Sequence, residues 1–217
     1  MSSTRDRIVG AARELVDEGG SETVSMRKIG SALGLSAMAV YRHFPSREVL
    51  LAHVADECFD EVHERWRKVG LTGDSRTDLH AVVDRMLDLA FERPHQFALM
   101  FLEPRERARA FPADFDSTSE PVTSEPAASE PAASEPVTSE PASGRSKTFA
   151  LLTDLIADGI AAGTLRPGPP WAVGLSVTAS LYGLVQLRRG GRIDLPDDAF
   201  RALCHHDLER TLDGIAA

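Results

Sequence analysis

Apolar residues recur at three- and four-residue spacing along most of this chain. Ile8, Ala11, Ala12, Leu15 and Val16 form one such stripe, and Gly19-Gly20 ends it. Ser25 is a good N-cap for a second, short helix that turns Ile29 and Leu33 inward. Gly34 then stands where a left-handed residue commonly closes a helix. Ser36 can cap a third helix running to about Phe44, Pro45 stops it, and Ser46 can cap a fourth reaching about Lys68. Leu71 to Ser75 read as a loop, and a fifth helix spans about Arg76 to Glu92. Pro94 opens a short apolar segment, Phe97 to Leu102, that Pro104 closes. Helices resume at about Ser146 to Ala162, Pro170 to Arg189 and Asp197 to Ile215, with Gly163, Gly190 and Gly191 as stops. No alternating strand pattern competes with these periods, so an all-α fold is expected.

One segment departs from the pattern. From Ser119 to Ser143 the chain repeats SEPVT, SEPAA, SEPAA, SEPVT, SEPAS. A proline at every fifth position forbids a continuous helix. The repeat has no aromatic residue, and Glu120, Glu125, Glu130, Glu135 and Glu140 repel one another. Such a tract buries too little surface to offset its ordering entropy. It is expected to be a disordered, partly extended insertion within about residues 112–145, spanning about 75 Å if fully drawn out. A tolerated loop insertion is the simplest account of it. Recruitment of a protein partner, in place of any small-molecule effector, is the alternative.

Composition changes this picture little. The chain has 217 residues, 42% of them hydrophobic, enough for a sizeable core. No apolar run reaches membrane-spanning length, and Met1 to Asp6 show no signal-peptide core. Cys58 and Cys204 lie far apart without metal spacing, as suits a reducing cytoplasm. Among the histidines His63, His80, His95, His205 and His206, only the last two are adjacent. Neighbours on a helix point about 100° apart and make a poor ligand pair. No metal site and no cofactor are expected. G-x-S-x-G, P-loop, H-E-x-x-H and G-x-G-x-x-G motifs are all missing, which argues against an enzyme.

Charge is more informative in its distribution than in its sum. The net charge is −9, yet Thr23 to Arg47 contain Arg27, Lys28, Arg42 and Arg47 and no acid. In the same stretch, Ile29, Leu33, Leu35, Val40 and Phe44 can form a small core with Ile8, Ala12 and Leu15. That leaves Met38, Ala39, Tyr41 and Arg42 outside. Ser36 and Ala37 are small enough for a backbone to approach DNA. Met38 and Ala39 suit thymine methyls, and the Tyr41 hydroxyl can reach a phosphate. Arg42, His43 and Arg47 supply donors along the DNA backbone. The planar fork of Arg27 can bind guanine bidentately.

The run Thr23-Val24-Ser25-Met26-Arg27-Lys28-Ile29-Gly30, then Leu35-Ser36, then YRHFPSREVLL from Tyr41, resembles the tetracycline-repressor family over about residues 5–55. That resemblance implies a helix-turn-helix DNA-binding domain at 1–47, and a ligand-binding and dimerisation domain at 48–217. It implies base-facing positions for Arg27, Ala37, Met38, Ala39 and Tyr41. Thr23, Ser25, Tyr41, His43 and Arg47 would face phosphates. Because Ala37 and Ala39 cannot hydrogen-bond through their side chains, readout falls to Arg27, Tyr41 and DNA shape. PHQFALMF at 94–101 and SLYGLVQLRRGGRI at 180–193 resemble one branch of the family's effector domains. Leu181-Tyr182-Gly183 stands where that branch often has Trp-His-Gly.

The family reading implies a homodimer on a palindromic operator, formed through the helices at about 170–189 and 197–215. Ala172, Leu175, Ala179, Tyr182 and Gln186 share the expected contact stripe. A repressor released by a hydrophobic or amphipathic effector is the expected function. Phe59, Trp66, Met86, Phe97, Met100, Phe101, Phe149, Trp171 and Tyr182 are the expected pocket residues, with Val62, Leu89, Ala90 and Leu152 beside them.

Overall fold

A computed structural model describes residues 3–67, 71–104 and 147–214. The SEP repeat and the insertion around it lie outside the described residues. The regular elements are helical: α1 (Thr4–Gly19), a 3-10 turn (Ser21–Thr23), α2 (Met26–Leu33), α3 (Ala37–Tyr41) and α4 (Arg47–Arg67). Then come α5 (Ser75–Glu92), α6 (Pro94–Phe97) with a π turn (Ala98–Leu102), α7 (Lys147–Ala161), α8 (Pro170–Arg189) and α9 (Asp197–Asp213).

The N-terminal unit is built from caps. Ser3 and Asp6 form a reciprocal capping box at α1, and α1 buries Ile8, Val9, Ala12 and Val16. Ser25 Oγ accepts from the Lys28 amide, and Gly34 ends α2 with φ +68°. Ser36 Oγ accepts from the Ala39 amide to start α3. The turn between α2 and α3 is so tight that a Cβ on Gly30 would lie 2.8 Å from the Leu35 carbonyl oxygen. Only glycine fits that crossing.

α3 is shorter than the spacing suggests, ending at Tyr41 rather than near Phe44. The Val40 carbonyl accepts from both the His43 and Phe44 amides, so the chain turns there. Phe44 precedes a proline, which disfavours helical backbone at that residue. Its ring is fully buried, with the Arg5 guanidinium 4.3 Å from the ring centroid and the His53 ring centroid at 5.6 Å. Arg5 Nη1 also donates to the His43 carbonyl at 3.2 Å, tying the start of α1 to the end of the α3 turn.

Behind this unit, α4 is 21 residues long and threads Val54, Ala55, Cys58, Phe59, Val62 and Trp66 into one continuous core. A polar joint links α1 to the helices behind it. Buried Gln96 donates from Nε2 to Asp17 Oδ1 at 2.6 Å, and Arg13 pairs with Glu61 of α4. Burial pushes the Glu61 carboxyl up, but Arg13, Arg93 and Arg65 outweigh it and hold the group below its ordinary value.

α9 is fastened to α5 by two interlocking polar stripes at four-residue spacing. Arg76, His80, Asp84 and Asp88 lie on α5, and Arg201, His205, Glu209 and Asp213 lie on α9. Arg76 pairs with Glu209 and lies 2.9 Å from Asp213. His80 contacts Glu209, and its Nδ1 lies 2.7 Å from His205 Nδ1, so one ring donates to the other. His205 Nε2 is 2.8 Å from Asp84, and Arg201 reaches Asp84 at 2.7 Å and Asp88 at 2.6 Å.

Burial raises the Asp84 carboxyl, yet the hydrogen bonds from Arg201 and His205 prevail and hold it below its ordinary value. A depressed carboxylate stabilises the fold above its unfolded value, about pH 4, and that contribution fades as pH falls through the folded value. Thermal unfolding of wild type and Asp84→Asn between pH 7 and 3 checks this. The gap in Tm is expected to be full near neutrality and to close below about pH 4. A gap that stays constant down to pH 3 contradicts the pairing.

Candidate nucleic-acid interface

The α2–turn–α3 unit places most of the residues picked from sequence on its outer surface. Arg27 and Lys28 are exposed in the first turn of α2. Lys28 Nζ also donates to the Thr23 carbonyl at 3.1 Å. On α3, Met38 is 71% exposed and Tyr41 46% exposed. Arg42 and His43 are exposed just beyond it. Ser36 is exposed and its Oγ accepts from the Ala39 amide as the cap, and Ala37 and Ala39 are half-buried.

Two polar residues serve inside the unit. Thr23 Oγ1 lies 2.6 Å from the Leu15 carbonyl and 2.8 Å from that of Gly20, closing the 3-10 turn on α1. Ser25 is half-buried beneath α2 as its cap. Arg47, expected along the phosphates, turns its guanidinium back. Its Nε donates to the Val24 carbonyl at 3.0 Å and its Nη2 to that of Ser21 at 2.5 Å. Nη1 lies 3.6 Å from Glu48. In this arrangement Arg47 braces the entry to α2 from the first turn of α4.

The nine expected pocket residues do not form a single group. Phe59, Phe97, Phe101 and Tyr182 stack together, with ring centroids 5.1 Å apart for Phe59–Phe101, 5.0 Å for Phe97–Phe101 and 5.1 Å for Phe101–Tyr182. Burial raises the Tyr182 phenol above its ordinary range. Met100 lies buried in the same π turn as Phe101. Trp66 and Met86 are buried in the core on α4 and α5, and Trp171 is half-buried at the start of α8. Phe149 of α7 packs where a Cβ on Gly174 would meet it at 3.4 Å. A small cavity between α5, α8 and α9 is lined by Val83, Val177, Leu181, Leu184, Cys204, Asp207, Leu208 and Thr211. None of the nine lines it. Its Cys204 thiol is pushed up to about 11 by burial, so it is not a reactive group.

Tyr182 also departs from the α8 contact stripe, since it turns inward to the phenylalanines. The face that α8 leaves exposed carries Ser176, Ala179, Gly183, Gln186 and Leu187. α9 leaves Ala202, His206 and Arg210 exposed. Among the described residues no group of three or more His, Cys, Asp or Glu is arranged to hold a metal ion. No helix among them is long and apolar enough to cross a membrane.

Sequence reasoning missed the polar joint of Arg13, Asp17, Glu61, Arg93 and Gln96, and it missed the α5–α9 fastening. The second had a visible signal: polar residues repeating every four positions on two separate helices.

Comparison with known proteins agrees with this geometry. Residues 8–54 match the family model "Bacterial regulatory proteins, tetR family". The chain is 32% identical over 102 residues to an HTH-type transcriptional regulator of Saccharopolyspora erythraea, covering 46% of this chain and 42% of that one. It is 33% identical over 104 residues to the HTH-type transcriptional repressor DrrR1 of Streptomyces coeruleorubidus, covering 47% and 36%. The matches thus span about four-tenths of these relatives' length. In fold, the whole chain superposes on a structure from Saccharomonospora viridis described as a transcriptional regulator in complex with choline. The TM-score is 0.64 and the identity 18%, with both chains fully covered. Residues 8–54 thus carry the tetR-family match of bacterial regulatory proteins, and the chain as a whole shares the all-helical fold of that structure.

Proposed function

We propose that this chain is a cytoplasmic transcriptional repressor that binds a palindromic operator as a homodimer and leaves it when a small effector binds. The observation that carries the reading is the outer surface of α2 and α3. It exposes Arg27, Lys28, Met38, Tyr41, Arg42 and His43, and no acid interrupts Thr23 to Arg47. An acidic protein that keeps one stretch free of carboxylates can hold polyanionic DNA against that stretch alone. Arg27 reads a base edge, and Tyr41, Arg42 and His43 hold phosphates. Thr23, Ser25 and Arg47 position these groups. The names of the curated relatives support the regulatory role.

Residues 1–47 form the DNA-reading part, and 48–217 the sensing and pairing part. The exposed small side chains of α8 let a second copy approach closely, and α9 runs beside it. A two-fold pair places its two α3 helices on half-sites about 34–36 Å apart. The effector is a hydrophobic or amphipathic small molecule received near Phe59, Phe97, Phe101 and Tyr182. Phe97 follows Gln96, whose bond to Asp17 anchors α1. A ligand that prefers a displaced Phe97 therefore also disfavours the placement of α1 that fits the operator.

The test is a gel-shift titration on DNA flanking the chain's own gene, with wild type beside Arg27→Ala. Wild type is expected to bind one palindromic fragment saturably. The variant is expected to lose about 10-fold or more, in line with the roughly 1–3 kcal/mol of a bidentate base contact. Equal binding of wild type to every fragment, or an unaffected variant, contradicts the assignment.

A further inference from the structure

We propose that Met38 is the specificity-determining side chain of α3, reading the 5-methyl groups of thymine in the operator's major groove; this rests on the DNA-binding reading above. Met38 is the most exposed large apolar residue among the described ones, at 71%. Tyr41, one turn later on the same helix, is exposed at 46%. Large apolar side chains held in water next to each other mark a contact surface. The occupant follows from what α3 lacks. From Ala37 to Val40 no side chain carries a hydrogen-bonding group, and one Ser36 Oγ lone pair is engaged by the Ala39 amide. The Ser36 hydroxyl proton and its second lone pair are the only side-chain polar sites left at the start of α3, so its first turn offers a base edge mainly apolar contact.

The one apolar feature on a base edge in the major groove is the thymine methyl. Methionine suits it. The side chain is unbranched and polarisable, and it adapts to a methyl whose position shifts with DNA shape. Ala37 and Ala39 flank it with small side chains, so its thioether can stand forward of the helix surface. Arg27 lies on a different helix and reads guanine independently. The preferred half-site therefore combines a guanine with thymines at the positions facing α3.

The experiment uses the full-length protein. Duplexes selected from a random library define the half-site. Each thymine in it is then replaced singly by deoxyuridine, which removes the methyl and leaves base pairing intact. Wild type is expected to lose about fourfold in affinity at one or two positions, the factor for withdrawing one buried methyl. Met38→Ala is expected to bind the thymine and deoxyuridine duplexes equally well, with the thermal midpoint of wild type because the side chain is exposed. Equal binding of wild type to both duplexes at every position overturns the proposal. So does a Met38→Ala protein that still discriminates between them. If no duplex is enriched at all, the DNA-binding reading itself fails, a result distinct from either of these.

Discussion

Replacing Phe44 by alanine is expected to destabilise the protein by about 3–5 kcal/mol. The ring is fully buried at the point where α3 gives way to α4. Its loss removes transfer free energy and leaves a cavity that rigid helices fill poorly. It also removes the surface over which the Arg5 guanidinium lies, and so loosens the Arg5 bond to the His43 carbonyl. Small domains have only about 5–15 kcal/mol in total, so this is a large share. Urea unfolding gives the stability change directly, with an unchanged m-value showing that the two-state comparison holds. Operator binding is expected to fall with it, because Phe44 anchors the turn that leads from α3 into α4. A loss below about 1 kcal/mol contradicts the packing described for this ring.

Gly183→Arg is expected to prevent the proposed dimer from forming while leaving each protomer folded. Gly183 lies mid-way along the exposed face of α8, and a Cβ there meets nothing within 4 Å. Inside one protomer the substitution is harmless, and exchanging a helical glycine favours the helix by up to about 1 kcal/mol. Against a second copy the same arginine has no room and brings an unpaired charge into a helix–helix contact. Sedimentation velocity is expected to show a dimer for wild type and a monomer for the variant. Unfolding of the monomer should be no easier than a concentration-matched wild-type control allows. Affinity for the full palindrome is expected to fall by about 10²- to 10⁴-fold, the gain that linking two weak sites confers. A dimeric variant would place the interface elsewhere.

The sequence was most legible where structure is decided locally. Ser25, Ser36 and Gly34 act as the caps their positions suggest, and α8 begins and ends at Pro170 and Arg189 as its periodicity predicts. These signals depend on neighbours within four residues. The overlong reading of α3 is the exception, and its cause is also local: the backbone preference of Phe44 before Pro45 outweighs apolar spacing.

Side-chain direction was less legible. Tyr182 and Gln186 share a period on α8, but the first turns to Phe97 and Phe101 and the second to solvent. The stripe alone could not distinguish the two faces. Arg47 is basic and near α3, yet two carbonyls at Ser21 and Val24 claim it. The pairing of His80 with His205 joins residues 125 positions apart, a separation at which only the packed helices decide the neighbour.

Two copies of this chain are expected to read one palindrome. The decisive measurement is sedimentation of a fixed concentration of the selected operator duplex with increasing protein, repeated at about 50 and 200 mM salt. Saturation at two chains per palindrome is expected. The logarithm of the affinity is expected to fall linearly with the logarithm of salt concentration, as phosphate contacts require. Saturation at one chain, or binding that ignores both the palindrome and the salt, would contradict that expectation.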